Sequence, residues 1–188
     1  YSTPNVLNIY FVRDPNGACG WARFSANLPE DYIVIANACA NNTSTLAHEI
    51  GHYFDLYHTH EPFFGNELVN GSNCTVAGDL LCDTPADPTL TGVVTAFPGC
   101  AYVGAYTDAN GDTYVPDPYQ IMSYSQKQCR VNFSPDAEAK VLFTIENARS
   151  YLFAPTAVCT NYTAVLDPMG NVTITGANVD GGSTDPNG

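Results

Sequence analysis

The sequence predicts an α+β fold: a small twisted N-terminal sheet and a helix, then an irregular, disulfide-tied half with one C-terminal helix. Three observations support this prediction. Segments rich in β-branched and aromatic residues lie within the first 37 positions. A helical repeat of apolar residues follows them, and residues 59–120 combine glycine, proline and cysteine with little periodicity. With 188 residues, the chain is long enough for one domain and a short extension.

Composition and charge restrict the class of protein. Hydrophobic residues make up 45% of the chain and charged residues 13%, as in packed globular proteins. The net charge of −13 would repel phosphate backbones and anionic lipids, so nucleic-acid and membrane partners are disfavoured. The longest aliphatic run, Tyr32–Ala36, is far shorter than the roughly 20 residues of a membrane helix. Because no basic and apolar leader is present, we expect a soluble chain that begins at a processed or truncated end.

Three strands are predicted in the N-terminal part. Residues 6–12 are rich in β-branched and aromatic types and end at turn-forming residues around Gly17. Residues 19–25 and 31–37 form two further strands, separated by Pro29 and a polar stretch. Together these segments indicate a small sheet.

Two helices are predicted after the sheet. Apolar residues recur at three- and four-residue steps over residues 44–55, with Ser44 available as the N-cap. A second helix opens at Ser134, has Pro135 at its first position and ends at Pro155.

Cysteine usage indicates the compartment. The chain has seven cysteines and no CxxC pair, which favours disulfides formed in an oxidising, extracellular environment. We therefore expect a secreted protein. Because the number is odd, one thiol is left without a partner within the chain.

All four histidines lie within 13 residues of one another. His48 and His52 are four residues apart on the predicted helix, so both imidazoles project from one face and can share a metal ion. Glu49 points to the side of that face, where it can reach a water on the metal without ligating the metal. His58 supplies a third ligand if the chain turns sharply after the helix. Three ligands and an open position are typical of catalytic zinc, so we expect His60 at the surface.

These residues carry a resemblance to a known family. The segment from His48 to His58 reads HEIGHYFDLYH and resembles the metzincin zinc signature HExxHxxGxxH. Residues 121–124, IMSY, resemble the methionine turn of that clan. Together with the CDTP sequence at 82–85, these blocks resemble the pappalysin family over roughly residues 5–153.

The resemblance implies a metzincin-like fold and a secreted zinc endopeptidase that acts on proteins or peptides. It assigns the zinc ligands to His48, His52 and His58. Glu49 is then the general base and acid, Met122 forms a floor beneath the metal, and Tyr124 can stabilise the tetrahedral intermediate. We also expect a monomer from which a propeptide has been removed.

Other interpretations stay open beside this one. A structural or adventitious metal site with a solvated Glu49 would leave the methionine turn unexplained. Tyr124 could equally be a buried phenol with a structural hydrogen bond. The rival function is a non-catalytic adhesion or matrix-binding module with a vestigial zinc site, and such a module has no need of Glu49.

The chain departs from the family pattern in three places. Asp55 stands where the signature has glycine, in a turn that needs a left-handed backbone, so we expect about 1 kcal/mol of strain and an intact third ligand. Gln120 replaces the usual asparagine before the Ile-Met pair. The resemblance also starts late, because a strand and a long helix normally precede residues 6–12; either the sheet is reduced or an upstream piece has been cut away.

A second metal site is a weaker hypothesis. Asp108, Asn110 and Asp112 place oxygen donors at alternate positions, as at the start of a calcium loop, but no glutamate follows at the twelfth position. An Asn-Gly surface turn explains the same residues. Calcium and a simple turn both remain open.

The resemblance also implies disulfide pairing and a domain boundary. It pairs Cys74 with Cys100 and Cys82 with Cys129, and elimination then pairs Cys19 with Cys39. The predicted catalytic domain covers residues 1–154. Residues 155–188 resemble the opening of the β-sandwich repeats of secreted bacterial proteins, with two short strands after residue 160. In such repeats the first cysteine pairs further along the chain, which would leave Cys159 over; a mixed disulfide with a removed propeptide is the alternative.

Substrate contacts are predicted on two segments. The edge strand at residues 19–24 is expected to receive the substrate as an added antiparallel strand. Ser125, Gln126 and Lys127 follow the methionine turn, where enzymes of this kind line the pocket for the side chain after the scissile bond. These three residues offer no carboxylate, so we expect only a weak preference for Arg or Lys, with neutral or acidic side chains accepted, unless a carboxylate from 59–120 enters.

Overall fold

A computed structural model describes residues 3–41, 44–153 and 158–183. Three strands form one sheet: β1 (Asn8–Val12), β2 (Gly20–Ala22) and β3 (Tyr32–Ala36). β3 lies in the centre, parallel to β1 and antiparallel to β2. The three predicted strands are confirmed, each shorter than predicted. β2 is therefore an edge strand, with one side free to face a cleft.

The sheet packs on the first helix, α1 (Thr45–Tyr53). Ile33 and Ile35 of β3 are fully buried against Tyr53 at the end of that helix. Alternating β-branched residues on β3 and the helical repeat on α1 thus form one small core. The helix begins directly after Ser44, which caps it without a side-chain hydrogen bond.

The second helix, α2 (Pro135–Ala148), ends earlier than the predicted stop at Pro155. It starts as predicted, because the Ser134 hydroxyl accepts a hydrogen bond from the Ala137 amide at 3.2 Å. It ends because the fully buried Arg149 side chain donates to the Tyr53 carbonyl at 2.9 Å and pairs with Asp31. These contacts draw the chain out of the helical path.

Residues 59–120 contain no helix or strand, as predicted, and are held by turns and isolated bridges. Leu90, Val94 and the half-buried Tyr102 form a second core around a disulfide. This core supports the segment that carries the methionine turn.

The disulfides correct the predicted pairing. Cys19–Cys39 is confirmed, but the other bridges join Cys74 to Cys82 and Cys100 to Cys129. The eight-residue separation of Cys74 and Cys82 closes because Gly78 and Leu80 both have a positive φ, of 59° and 66°, which turns the chain back on itself. Cys159 is the exposed free cysteine, which agrees with the odd number of cysteines.

The tail differs from its prediction. Its described residues, 158–183, form one isolated bridge and a helical turn, α3 (Gly176–Val179), instead of two strands. Val165 and Met169 are about 85% exposed, so the segment lacks the buried face that stabilises a strand pair. The predicted boundary at residues 154–155 lies outside the described residues. Among the described helices, none is long and apolar enough to span a lipid bilayer.

Candidate active site

Helix α1 places the first two histidines and Glu49 at the base of a cleft. His48, Glu49 and His52 are all buried. Gly51 lets the helix lie directly against Met122, because a Cβ at this position would collide with the Met122 sulfur. The helix can therefore sit on the methionine turn only with glycine, or with a displaced methionine, at this contact.

The turn after α1 brings His58 back to the helix. Asp55 has a φ of 66°, the left-handed conformation that the sequence predicts. Its carboxylate accepts hydrogen bonds from the amide and hydroxyl of Ser25, at 2.7 and 2.5 Å, and from the Thr144 hydroxyl at 3.2 Å. A glycine could not make these contacts, so aspartate ties the strained turn to α2 and to the segment after β2.

The three imidazoles converge in a way that fits a metal ion. Their ligand atoms all lie within 4.8 Å of one another. His48 Nδ1 donates to the Ile121 carbonyl and His52 Nδ1 to the Leu56 carbonyl, each at 2.7 Å. Because a carbonyl only accepts, both Nδ1 atoms carry the proton and both Nε2 lone pairs face inward. His52 Nε2 and His58 Nε2 are 3.0 Å apart, a separation that a shared cation stabilises.

Burial keeps these ligands neutral. It lowers the pKa of His48 to about 3 and that of His58 to about 2, with the charge of His52 adding to both effects. Burial also lowers the pKa of His52. Neutral imidazole is the form that binds a metal, so the three side chains are in the ligating state at neutral pH.

Glu49 is a buried residue whose side chain lines the space beside the histidines. Only 6% of it is exposed. Burial raises its pKa to about 7, against the opposing charges of Arg130 and Lys127. Gly20 of β2 makes room for it, since a Cβ there would lie 2.8 Å from Glu49 Cγ and 2.9 Å from the Val34 carbonyl. A carboxylate with a pKa near neutrality in a cleft is typical of a general base.

The methionine turn supports the site from below. Its Ile121 carbonyl orients His48, and its Met122 carbonyl accepts the Thr59 amide at 3.2 Å, next to the third histidine. Arg130 Nη1 donates to the Ser123 carbonyl at 3.1 Å and fixes the turn. Met122 is buried, which agrees with a packing role for this side chain.

Tyr124 and His60 lie at the mouth of the site. The Tyr124 ring packs 4.5 Å from the His58 ring and 4.4 Å from the His60 ring, and its side chain is 46% exposed. A half-exposed phenol above the histidines fits a substrate-binding role better than a buried structural one. His60 is half-buried under Tyr124, contrary to its expected surface position, because it stacks on His58 at 5.1 Å. It lies outside the group of three converging ligands.

Two cavities meet at Glu49 and form one cleft. The basic cavity, of about 450 Å³, extends toward Ser125, Gln126, Lys127 and Arg130. The aromatic cavity, of about 560 Å³, extends along β2 toward Phe24, Tyr57 and Phe63. His48, Glu49 and Tyr124 line both. The substrate side chains before and after a peptide bond held at Glu49 would thus enter different cavities.

The predicted calcium residues form a turn on another part of the molecule. The Asp108 carboxylate accepts the Asn110 and Asp112 amides at 2.8 and 2.9 Å, and the Val69 amide at 2.9 Å. Asn110 and Asp112 are exposed. These hydrogen bonds account for the shape of the turn without an ion, and calcium binding stays a prediction.

Two residues of the site were missed by the sequence analysis. It singled out neither Arg130, which is 93% buried beside His48, nor Gly20. A basic residue directly after a cysteine in an acidic chain was the available signal for Arg130. Nothing in the sequence distinguishes Gly20 from other glycines, because its role depends on the approach of Glu49.

Comparison with known families agrees with a metal site at these histidines. The sequence profile of the peptidase M43 family, described as pregnancy-associated plasma protein-A, matches residues 17–137. The chain belongs to this metallopeptidase family. The matched segment contains the three converging histidines, Glu49 and the methionine turn. The pappalysin resemblance is thereby confirmed, while the β-sandwich resemblance of the tail stays a prediction.

Two curated relatives of this M43 chain are fungal proteins. An extracellular metalloprotease of Colletotrichum graminicola is 30% identical over 151 residues, covering 72% of this chain and 48% of the relative. An extracellular metalloprotease of Verticillium alfalfae is 32% identical over 164 residues, covering 77% of this chain and 51% of the relative. The chain thus spans about half the length of the curated relatives it matches.

A solved structure shows the same fold. Mature mirolysin of Tannerella forsythia, determined with a cleaved peptide, superposes with a TM-score of 0.55 at 21% identity, over 78% of this chain and 55% of mirolysin. The metallopeptidase fold predicted from the sequence is supported by this likeness.

Proposed function

We propose that the chain is the catalytic unit of a secreted zinc endopeptidase. The observation that carries this proposal is the convergence of three neutral imidazoles beside a buried glutamate, with a cavity on each side of it. Membership of the M43 family and the extracellular metalloprotease relatives support it. A monomeric state and a removed propeptide are further parts of the proposal.

His48, His52 and His58 would hold the zinc. Zinc in such a site supplies Lewis acidity, which polarises a peptide carbonyl and lowers the pKa of a water. Glu49, with its raised pKa, accepts a proton from the attacking water and delivers it to the leaving amine. The Tyr124 hydroxyl donates a hydrogen bond to the oxygen on which negative charge develops.

The edge strand β2 would bind the substrate backbone. Gly20, Trp21 and Ala22 of this strand line the cleft beside Glu49. An extended peptide can therefore add to β2 as a further antiparallel strand, which aligns one peptide bond with the histidines. Binding an internal stretch of chain on both sides of Glu49 explains endopeptidase rather than exopeptidase activity.

Burial of Glu49 argues against an adhesion module with a vestigial site. A carboxylate with a raised pKa, held in a cleft beside three converging histidines, is suited to proton transfer, and a binding module gains nothing from it. The test is cleavage of casein by the purified chain with zinc, with a chelator, and after zinc is restored. Internal cleavage that disappears with the chelator and returns with zinc supports the proposal. Metal-loaded protein that leaves casein intact refutes it.

A further inference from the structure

The basic cavity has an unusual charge for this protein. The whole chain has six Lys and Arg against 19 Asp and Glu, yet two of the six basic residues, Lys127 and Arg130, line this one cavity. Glu49 is the one acidic residue in its lining. The cavity is therefore a cationic site on an acidic molecule, directly beside the reactive centre.

Arg130 has hydrogen-bonding capacity that the described residues do not use. One nitrogen, Nη1, donates to the Ser123 carbonyl, but the buried Nε has no hydrogen-bond partner. No carboxylate among the described residues forms an ion pair with this guanidinium. Because a buried cation without a paired carboxylate is costly, an anionic group bound in the cavity that Arg130 lines would be favoured.

Lys127 and Ser125 complete the cavity wall. Lys127 Nζ lies 2.7 Å from Cys19 Sγ, which places its charge between β2 and the methionine turn. Ser125 is buried, and its hydroxyl also has no hydrogen-bond partner among the described residues. Two cations thus line the cavity, with a buried hydroxyl beside them.

We propose that the basic cavity is a substrate subsite for a carboxylate, which selects Asp or Glu at a residue next to the scissile bond. Arg130 and Lys127 bind that carboxylate, and Ser125 adds a neutral hydrogen bond. The inference rests on the proposed function. It goes beyond the expectation that acidic residues are merely accepted, because it makes them the preferred class.

Two series of otherwise identical peptides test this subsite. One series carries Glu, Gln or Arg directly before the scissile bond, and the other carries the same residues directly after it. In the series whose varied residue enters the basic cavity, kcat/KM for Glu should exceed that for Gln by about tenfold, and Arg should be the poorest. A tenfold ratio corresponds to the low end of the free energies of charge-assisted hydrogen bonds. Equal rates for Glu and Gln in both series, or a preference for Arg, overturn the inference.

Variants assign the effect to the cavity. Lys127→Met and Arg130→Met should each reduce the Glu-to-Gln ratio, and Lys127→Glu should shift preference toward Arg. Lys140→Met on α2 removes the same charge away from the cleft and should leave the ratio unchanged. Arg130 is buried, so its substitution could unfold the protein. The variants of the half-buried Lys127 are therefore the decisive ones. An unchanged ratio in Lys127→Glu overturns the inference. Hydrolysis without preference refutes the subsite alone, whereas no hydrolysis of casein or any peptide refutes the proposed function as well.

Discussion

Replacing Asp55 by glycine should destabilise the protein, although glycine fits the backbone conformation better. Glycine would relieve about 1 kcal/mol of left-handed strain at a φ of 66°. It would also remove three hydrogen bonds to a charged acceptor, two from Ser25 and one from Thr144. At about 1 kcal/mol each for a half-buried group, and with the larger unfolded-state entropy of glycine, the net loss is about 2–3 kcal/mol.

Thermal or urea unfolding of Asp55→Gly measures this loss. For a chain of this size we expect the Tm to fall by about 5–10 °C. Asp55→Asn is the matched control, because asparagine tolerates the left-handed region and keeps one acceptor, and its loss should be smaller. An Asp55→Gly variant as stable as the parent would show that the carboxylate contacts contribute nothing to the turn.

Three further perturbations follow from the structure. Gly20→Ala places a Cβ against Glu49 and the β3 backbone, so peptidase activity should fall by about tenfold or more with the circular dichroism spectrum retained; full activity would contradict the packing. Replacing Cys100 and Cys129 by serine should lower the free energy of unfolding by about 3–4 kcal/mol for the 29-residue separation, and non-reducing peptide mapping of the parent should show this pair. Burial, with the charge of a neighbouring aspartate, raises the pKa of Glu67 to about 7. The folded protein therefore holds this proton more tightly than the unfolded chain, so the free energy of unfolding in chelating buffer should decrease as the pH rises from about 4.5 to 7. The decrease should be smaller in Glu67→Gln.

Much of the site could be predicted because it depends on local spacing. The four-residue step from His48 to His52 fixes both on one helix face, and the left-handed turn at Asp55 follows from the geometry that His58 needs. The three strands were found for the same reason, since their pattern is local to each segment.

The missed features depend on contacts between distant segments. The disulfide partners of Cys74 and Cys100 are set by how an irregular loop folds back, which no periodic pattern encodes. Helix α2 ends at Ala148 because Arg149 binds groups more than 90 residues away. The lack of a hydrogen-bond partner for Arg130 Nε among the described residues likewise depends on contacts that no local pattern encodes.

The central claim is that Glu49 carries out proton transfer beside a zinc ion held by three histidines, and Glu49→Gln tests it most directly. The substitution keeps the size of the side chain and removes its basicity, and it leaves the ligands untouched. The account predicts one zinc per chain in both proteins by elemental analysis and the same Tm, with the rate of casein cleavage reduced by about 10²–10⁴. A zinc-loaded Glu49→Gln variant that cleaves casein at the parent rate would contradict the account.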